Sequence, residues 1–337
     1  MKRLIVPVLL VAVLGAALAV RLQPEPHYPF GSAGFDTLIR DSEAETASAK
    51  RVGFETWLEA AYARTPKAHL GNFKTLPAAL EARASEYAKL KGTAERVRLE
   101  RETGAWLHRM VKATIPKFSL DRGYEFTNTV ALGERQCLLQ GVLIASLLQR
   151  MGFDAGTVMI WRNLEGATSN LGHVATLLKL SDGTAVIVDA SEPMPFPQHR
   201  GVFTYDAKLG RYQFLEPVFD AQSDITAFKT ARVADIRALP YNYVRSQFYF
   251  YRGERTPGAF VNKPLTQTGM QKGIAYLKRA VSLEPQNPLA QYVLGHIYRA
   301  SGDIGAANAQ FKLSHALYKK FGYVPSGVQT AFDAIKP

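Results

Sequence analysis

The chain has 337 residues, of which 47% are hydrophobic, and this length and composition suit about two domains with real cores. Its 41 basic and 29 acidic side chains give a net charge of +12, which suits anionic surfaces such as lipid headgroups, envelope polymers or nucleic acid. The sequence has no zinc-ligand cluster, Gly-rich phosphate loop or RNA-binding aromatic signature. We therefore interpret the basic charge as a solvated face and expect no nucleic-acid partner.

The first 20 residues have the pattern of an export signal. Lys2 and Arg3 precede the apolar run of residues 4–20, and small residues at 17–19 offer a cleavage site. The run is at the short end for a bilayer span. The whole pattern predicts either a cleaved signal peptide or an uncleaved anchor that holds residues 4–20 in the membrane. The remainder is expected to be exported, either into the periplasm or anchored and facing the periplasmic or extracellular side, because the two basic residues stay inside.

A linker and three helices are predicted next. Residues 21–52 are punctuated by Pro and Gly and then rich in Ser, Ala and Glu, which predicts a linker with little core. Apolar spacing predicts helices over 54–62, 77–90 and 93–114, and Pro116 ends the last of them. These helices open a domain that we place at residues 53–235.

Cys137 is the single cysteine of the chain and stands directly before an apolar stretch, residues 138–151. A helix that is apolar on nearly every side is a buried one, and Gly152 suits its end. The partial positive charge at the start of a helix favours a thiolate over a thiol. One cysteine forms no internal disulfide, so an exported protein that keeps it invites a chemical role.

A histidine and an aspartate follow on a predicted hairpin. Residues 157–161 read as a buried strand, His173 opens a β-rich run, a Ser-Asp-Gly turn at 181–183 follows, and the next β-rich run carries Asp189. We expect the two side chains to face each other across the antiparallel ladder. The imidazole would then take the thiol proton and the carboxylate would fix its tautomer.

This order of residues resembles the core of transglutaminase-like proteins, which are relatives of papain-type peptidases. The resemblance covers roughly residues 126–193. It implies an α+β fold in which the helix that begins at the cysteine packs on an antiparallel sheet, with Cys137 as nucleophile, His173 as base and Asp189 as its orienting partner. Members of the family often have Gly or Trp near the cysteine and an aromatic residue after the histidine, and this chain has neither. Each residue alone also fits a purely structural role, since a lone cysteine often acts as a small buried hydrophobe.

Four further residues are candidates for an oxyanion donor or for the cleft. Asn128 precedes Cys137 closely and could donate to an oxyanion beside the backbone N–H of the cysteine, although a turn-forming role suits it as well. Gln136 directly precedes the thiol. Trp161 and Asn170 belong to or border the polar loop before the catalytic histidine, where specificity is often set. We expect no metal and no cofactor.

The following segment predicts a sheet extension and a packing seam. Residues 202–219 alternate around a turn, which is typical of a further hairpin. Residues 239–255 are the most aromatic stretch, with four aromatic residues in a row at 248–251 and arginines beside them. Such a group could stack on bases or sugars, but a packing seam is the more frequent use of consecutive aromatic residues.

The C-terminal region, residues 236–337, ends in a pattern that resembles a tetratricopeptide repeat. The spacing of Leu294, Tyr298, Ala307 and Phe311 matches that repeat and predicts helices over residues 270–283, 289–301 and 304–320. This is about one and a half repeats, fewer than the three that an independent solenoid needs. The helices must therefore dock, and the aromatic seam is the obvious surface. Stacked helix pairs commonly bind extended peptides, so a peptide partner is expected here.

Two functions are compatible with the sequence. The first is an exported cysteine-dependent acyl-transfer enzyme, a peptidase, amidase or transamidase that acts on an amide or ester of a protein or peptide. Hydrolysis is favoured because nothing in the sequence marks an amine-selecting site. The second is a non-catalytic cell-envelope interaction module in which the triad is residual and the repeat-like helices hold a partner.

Overall fold

The computed structural model describes residues 27–45, 53–162, 168–206 and 208–335. The predicted signal or anchor therefore lies outside the described residues. Within these ranges the protein has eleven α-helices and ten β-strands. None of those helices combines the length and the apolar character needed to cross a bilayer.

The helices divide into those before the sheet and those after it. Their bounds are α1 Ala33–Ala44, α2 Phe54–Ala63, α3 Leu76–Lys89, α4 Thr93–Thr114, α5 Phe126–Leu132, α6 Cys137–Arg150, α7 Tyr241–Arg255, α8 Gln267–Leu283, α9 Pro288–Ala300, α10 Ile304–Phe321 and α11 Ser326–Asp333. Short 3₁₀ turns occur at Pro66–Ala68 and Val233–Asp235. The predicted helices before the cysteine and after the aromatic stretch are all present.

The strands form one large antiparallel sheet and a small parallel pair. Their bounds are β1 Lys117–Phe118, β2 Glu134–Arg135, β3 Ala155–Arg162, β4 Thr168–Lys179, β5 Ala185–Val188, β6 Gly201–Asp206, β7 Arg211–Leu215, β8 Pro217–Phe219, β9 Ile225–Phe228 and β10 Ile236–Arg237. The large sheet has the order β10-β6-β3-β4-β5-β9-β8, with β7 paired to β6. The protein is thus a mixed helix and antiparallel-sheet fold, as the predicted α+β class requires.

Helix α6 is the centre of the core. Its residues from Cys137 to Gln149 are all buried, which confirms the prediction made from their apolar character. The helix crosses β4 closely at Gly141, where an added Cβ would lie 3.3 Å from Val174 Cγ1. Thr176 on β4 donates a hydrogen bond of 2.8 Å to the Gly141 carbonyl. This close approach brings the start of α6 beside the middle of β4.

The linker prediction for residues 21–52 is wrong for the part that the structure describes. Residues 33–44 form α1, and Tyr28 and Phe35 are fully buried. The Tyr28 backbone N–H donates to Gln149 Oε1 at 2.7 Å, which ties the segment to α6. The many Pro, Gly and Ser residues of this segment led to the linker prediction. The burial of its few large aromatic residues holds the segment against the core instead.

The C-terminal helices dock on the sheet and on α7, as the shortage of repeats predicts. Tyr212 on β7 donates a 2.7 Å hydrogen bond to Glu284, and Trp161 on β3 meets the Tyr318 ring edge-on at 5.4 Å between centroids. One apolar cluster extends from Tyr28 to Ala331. The predicted boundary at residues 235 and 236 therefore runs through a continuous core, and the aromatic stretch in α7 acts as a packing seam.

Candidate active site

Cys137 lies at the first position of α6 and is 5% exposed. Its side chain lines a cavity of about 400 Å³, whose wall also includes His173, His199 and Tyr251. Gln136 precedes it as the N-cap residue, and Gln136 Oε1 accepts from the Leu138 backbone N–H at 3.3 Å. The thiol is therefore held at the positive end of a buried helix and still borders a space that a small molecule could enter.

His173 lies in the middle of β4, opposite Ile160 of β3. Gly172, immediately before it, has a φ of 71°, and a Cβ there would approach Met159 Cε to 2.7 Å. Glycine suits this backbone because of the positive φ, which side-chain-bearing residues rarely adopt, while the Met159 methyl would also have to shift to admit a Cβ. The glycine thus fixes the direction from which β4 presents the imidazole.

Asp189 accepts a 2.6 Å hydrogen bond from His173 Nε2. The register pairs Thr176 with Val188, so Asp189 lies just beyond the end of β5 and diagonally across the ladder from His173. The expectation that the two residues are directly opposite each other is corrected by this register, although they share a face because side chains alternate. With Nε2 bound to the carboxylate, Nδ1 is the ring nitrogen that remains for the sulfur.

The three groups shift one another's pKa in the directions of an ion pair. Burial raises the pKa of the Cys137 thiol, but the charge and hydrogen bond of His173, with smaller contributions from the Val174 N–H and the Tyr251 hydroxyl, bring it below its ordinary value. Burial lowers the pKa of His173, yet the charges of Asp189 and Cys137 raise it well above its ordinary value. The Asp189 pKa is lowered, because its two histidine partners outweigh the effect of burial. Both shifts act in the direction of thiolate and imidazolium.

His199 is a second histidine on the same carboxylate. Its Nε2 lies 2.8 Å from Asp189 Oδ2, the same oxygen that contacts His173, and its side chain is buried. The Ser191 backbone N–H donates to the other oxygen at 2.8 Å. The sequence does not mark His199 as a site residue, since it follows an irregular Pro-rich segment and stands at no characteristic spacing. Its position near the start of β6, the strand beside β3, brings it here.

Tyr251 contacts the sulfur from the helical side. Its hydroxyl oxygen lies 3.6 Å from Cys137 Sγ, and its side chain is buried. The residue belongs to α7, in the region 236–337 that the sequence separates from the predicted domain at residues 53–235. The aromatic run at 248–251 was a signal for burial, but not for a contact with the thiol.

The other four predicted site residues do not all lie at the cavity. Gln136 and Trp161 line the cavity. Asn128 lies in α5, where its amide donates to the Arg122 carbonyl at 2.9 Å, so its expected oxyanion role is corrected to the local structural one. Asn170 belongs to β4, but its side chain lies outside what the structure describes.

His173, Asp189 and His199 are also a group that could ligate a metal ion, since one ligand atom of each lies within 4.8 Å of the others. Both Nε2 atoms, however, stand at 2.6 and 2.8 Å from the same carboxylate oxygen. Two ligands of a tetrahedral zinc ion are about 3.3 Å apart. The observed spacing fits hydrogen bonds, and an ion would require the three groups to separate.

A scan against protein-family models finds no match to this sequence, and a search of curated proteins finds no significant relative. The protein is thus a mixed helix and sheet fold in which a buried cysteine and a partly exposed histidine line one cavity, and a buried aspartate holds the histidine from behind.

Proposed function

We propose that the protein is an exported, cysteine-dependent acyl-transfer enzyme with a transglutaminase-like core, in which Cys137 is the nucleophile, His173 the acid and base, and Asp189 the group that orients the imidazole. One observation carries the proposal: Asp189 binds Nε2 of His173 while His173 and Cys137 shift each other's pKa towards an ion pair. A buried thiol with a purely structural role has no need of a charged partner that is itself held by a carboxylate.

The reaction follows from these positions. The Cys137 thiolate attacks the carbonyl carbon of an amide or ester, the new S–C bond forms, and the carbonyl electron pair moves to oxygen. The His173 imidazolium then gives its proton to the leaving nitrogen or oxygen as that bond breaks, and a thioester remains. Water attacks the thioester while neutral His173 takes its proton, and collapse of the second intermediate restores thiolate and imidazolium.

The cavity supports a protein or peptide substrate. Phe118 and Leu120 at its wall are 48% and 58% exposed, which is unusual for large apolar side chains beside a reactive group. Trp161 and Leu171 continue the apolar wall, and Arg255 also lines it. An extended chain with an apolar side chain near the scissile bond suits these surfaces. Hydrolysis remains our choice over transamidation, because among the described residues of this wall Glu192 is the single acidic side chain, and it forms no pair that would select an amine.

Alkylation of Cys137 by iodoacetamide at pH 6 tests the proposal. We expect the native protein to react faster than glutathione under the same conditions, because the ion pair holds a thiolate where a free thiol is protonated. The protein unfolded in urea is the matched control and should react like glutathione. A native rate no higher than that of glutathione would remove the activated pair and the proposed function with it.

The second candidate is a non-catalytic module that binds a peptide through its helices. It is favoured by the packing of α8 on α9 and of α9 on α10, the arrangement that repeat proteins use for extended peptides. The readout is the phenotype that the wild-type protein confers on its cell. Loss of that phenotype in cells that carry the Cys137→Ser protein at normal abundance argues for the enzyme. A phenotype that Cys137→Ser leaves intact argues for the module.

A further inference from the structure

The hydroxyl of Tyr251 stands next to the atom that performs the proposed chemistry. It lies 3.6 Å from Cys137 Sγ, within hydrogen-bond range for sulfur, and the Tyr251 side chain lines the same cavity as the thiol. We propose that Tyr251 is a catalytic hydrogen-bond donor that holds the resting Cys137 thiolate and then stabilises the oxyanion formed from the substrate carbonyl. This inference rests on the proposed function and deepens it.

The ring of Tyr251 is fixed from several directions. It stacks on Tyr124 with centroids 5.5 Å apart and planes at 23°, and it meets Phe250 edge-on at 5.2 Å. The guanidinium carbon of Arg255 lies 5.2 Å from the ring centroid. A donor that is held before the reaction needs no reorganisation when charge develops, which is the condition for effective oxyanion stabilisation.

The proton of the hydroxyl stays in place over the pH range of the reaction. Burial raises the pKa of Tyr251 well above its ordinary value, and the nearby charge of Cys137 raises it further. The same contact lowers the pKa of Cys137. The phenol is therefore the donor and the sulfur the acceptor in this hydrogen bond.

The hydrogen bond can move with the charge. In the resting site the O–H points at sulfur. When the S–C bond forms, the negative charge leaves the sulfur and appears on the carbonyl oxygen, which is bonded to the same carbon and so lies near the same hydroxyl. Tyr251 gives up no proton in this step, since His173 protonates the leaving group. Its contribution is a neutral donor that remains with the charge through the addition.

This role makes helix α7 part of the active site. The sequence separates residues 53–235 from 236–337, but the donor that completes the site comes from the second of these. The aromatic seam would then have two functions, to dock the helices and to place one hydroxyl.

Substitution Tyr251→Phe tests the proposal, with Tyr249→Phe as the matched control. Tyr249 lies on the same helix, half-buried, with Arg252 over its ring at 4.6 Å. We measure the pH dependence of iodoacetamide alkylation of Cys137 and the burst of p-nitrophenolate from p-nitrophenyl acetate. Tyr251→Phe should shift the alkylation profile to higher pH and slow the burst about 10- to 100-fold. This is somewhat less than the usual effect of losing an oxyanion donor, because the substitution raises the energy of the resting thiolate as well as that of the oxyanion. Tyr249→Phe should leave both within about twofold of the wild type.

A fluorinated tyrosine at position 251 extends the test without loss of the hydroxyl. As a stronger acid it is a stronger donor, so the alkylation profile should shift to lower pH. An unchanged profile and burst in Tyr251→Phe, or faster alkylation because the hydroxyl merely shields the sulfur, would overturn the inference while native Cys137 remains activated. Failure of the proposed function looks different, since wild-type Cys137 then reacts no faster than glutathione.

Discussion

The two sides of Cys137 are built from different chemistry. On the sheet side, the Asp189 carboxylate contacts His173 and raises its pKa, and His199 adds a second contact to the carboxylate. On the helix side, Tyr251 offers a neutral hydroxyl that is surrounded by aromatic rings. The sheet side is suited to form the thiolate. The helix side is suited to stabilise negative charge through a hydrogen bond while its own hydroxyl keeps its proton. The comparison predicts that damage to the sheet side is the more severe.

Substitution Asp189→Asn should have the largest effect on the reaction. It removes the charge that raises the His173 pKa, so the imidazolium loses its proton at a lower pH. The pH range in which thiolate and imidazolium coexist therefore becomes narrower at its alkaline end. We expect the p-nitrophenyl acetate burst to fall about 10²- to 10⁴-fold.

The matched control is Asp182→Asn in the exposed turn of the same hairpin, where the carboxylate accepts from the Thr184 hydroxyl at 2.7 Å. It should leave the burst within about twofold. An Asp189→Asn protein with a wild-type burst and alkylation profile would mean that the sheet side does not create the thiolate.

Substitution His199→Phe should have an intermediate effect. It removes one of the two imidazoles that donate to Asp189 and leaves the contacts from His173 and the Ser191 N–H. We expect the burst to slow about tenfold and the free energy of unfolding to fall by about 2 kcal/mol, since hydrogen bonds to charged groups contribute about that much.

Urea unfolding followed by circular dichroism measures the second quantity and the burst measures the first. Because the hydrogen bond from His199 lowers the Asp189 pKa, its loss leaves a more basic carboxylate for His173 and should move the alkaline limb of the alkylation profile to higher pH. A loss of stability with an unchanged profile would reduce His199 to a structural residue.

Substitution Glu254→Gln on α7 should have the smallest effect on the reaction and a pH-dependent one on stability. Glu254 is fully buried, and burial raises its pKa from 4.5 to about 7, despite an Arg255 Nε at 3.2 Å. Because the folded pKa lies above the unfolded one, the folded state binds more protons between these values, so the contribution of Glu254 to stability falls as pH rises from about 4.5 to 7.

The glutamine has no charge to desolvate, so it should stabilise the protein at pH 8 by up to about 3 kcal/mol relative to wild type and give little benefit at pH 4. Urea unfolding at the two pH values measures this difference. Glu102→Gln, at an exposed position of α4, should show no such dependence. A benefit for Glu254→Gln that is equal at both pH values would mean that the carboxylate is not held above its ordinary pKa.

Local patterns in the sequence were sufficient for most of the secondary structure. The bounds of α4 and the start of α6 agree with the prediction, because periodic apolar residues and end signals act over a few residues. They failed for residues 33–44, where a short amphipathic helix lies among Pro, Gly and Ser. They also placed Asp189 directly opposite His173, whereas the observed register puts the two residues on a diagonal. The register of a hairpin depends on its turn and its neighbours as well as on alternation.

Local sequence patterns are enough to predict that one thiol begins a buried helix and that a histidine and an aspartate share a hairpin. The contact of His199 with the carboxylate, and that of Tyr251 with the sulfur of Cys137, 114 residues before it, arise from long-range packing. The physical reason is range. Helix starts, turns and alternating strands are encoded by neighbours along the chain, whereas the meeting of α7 with α6 depends on how a continuous core packs.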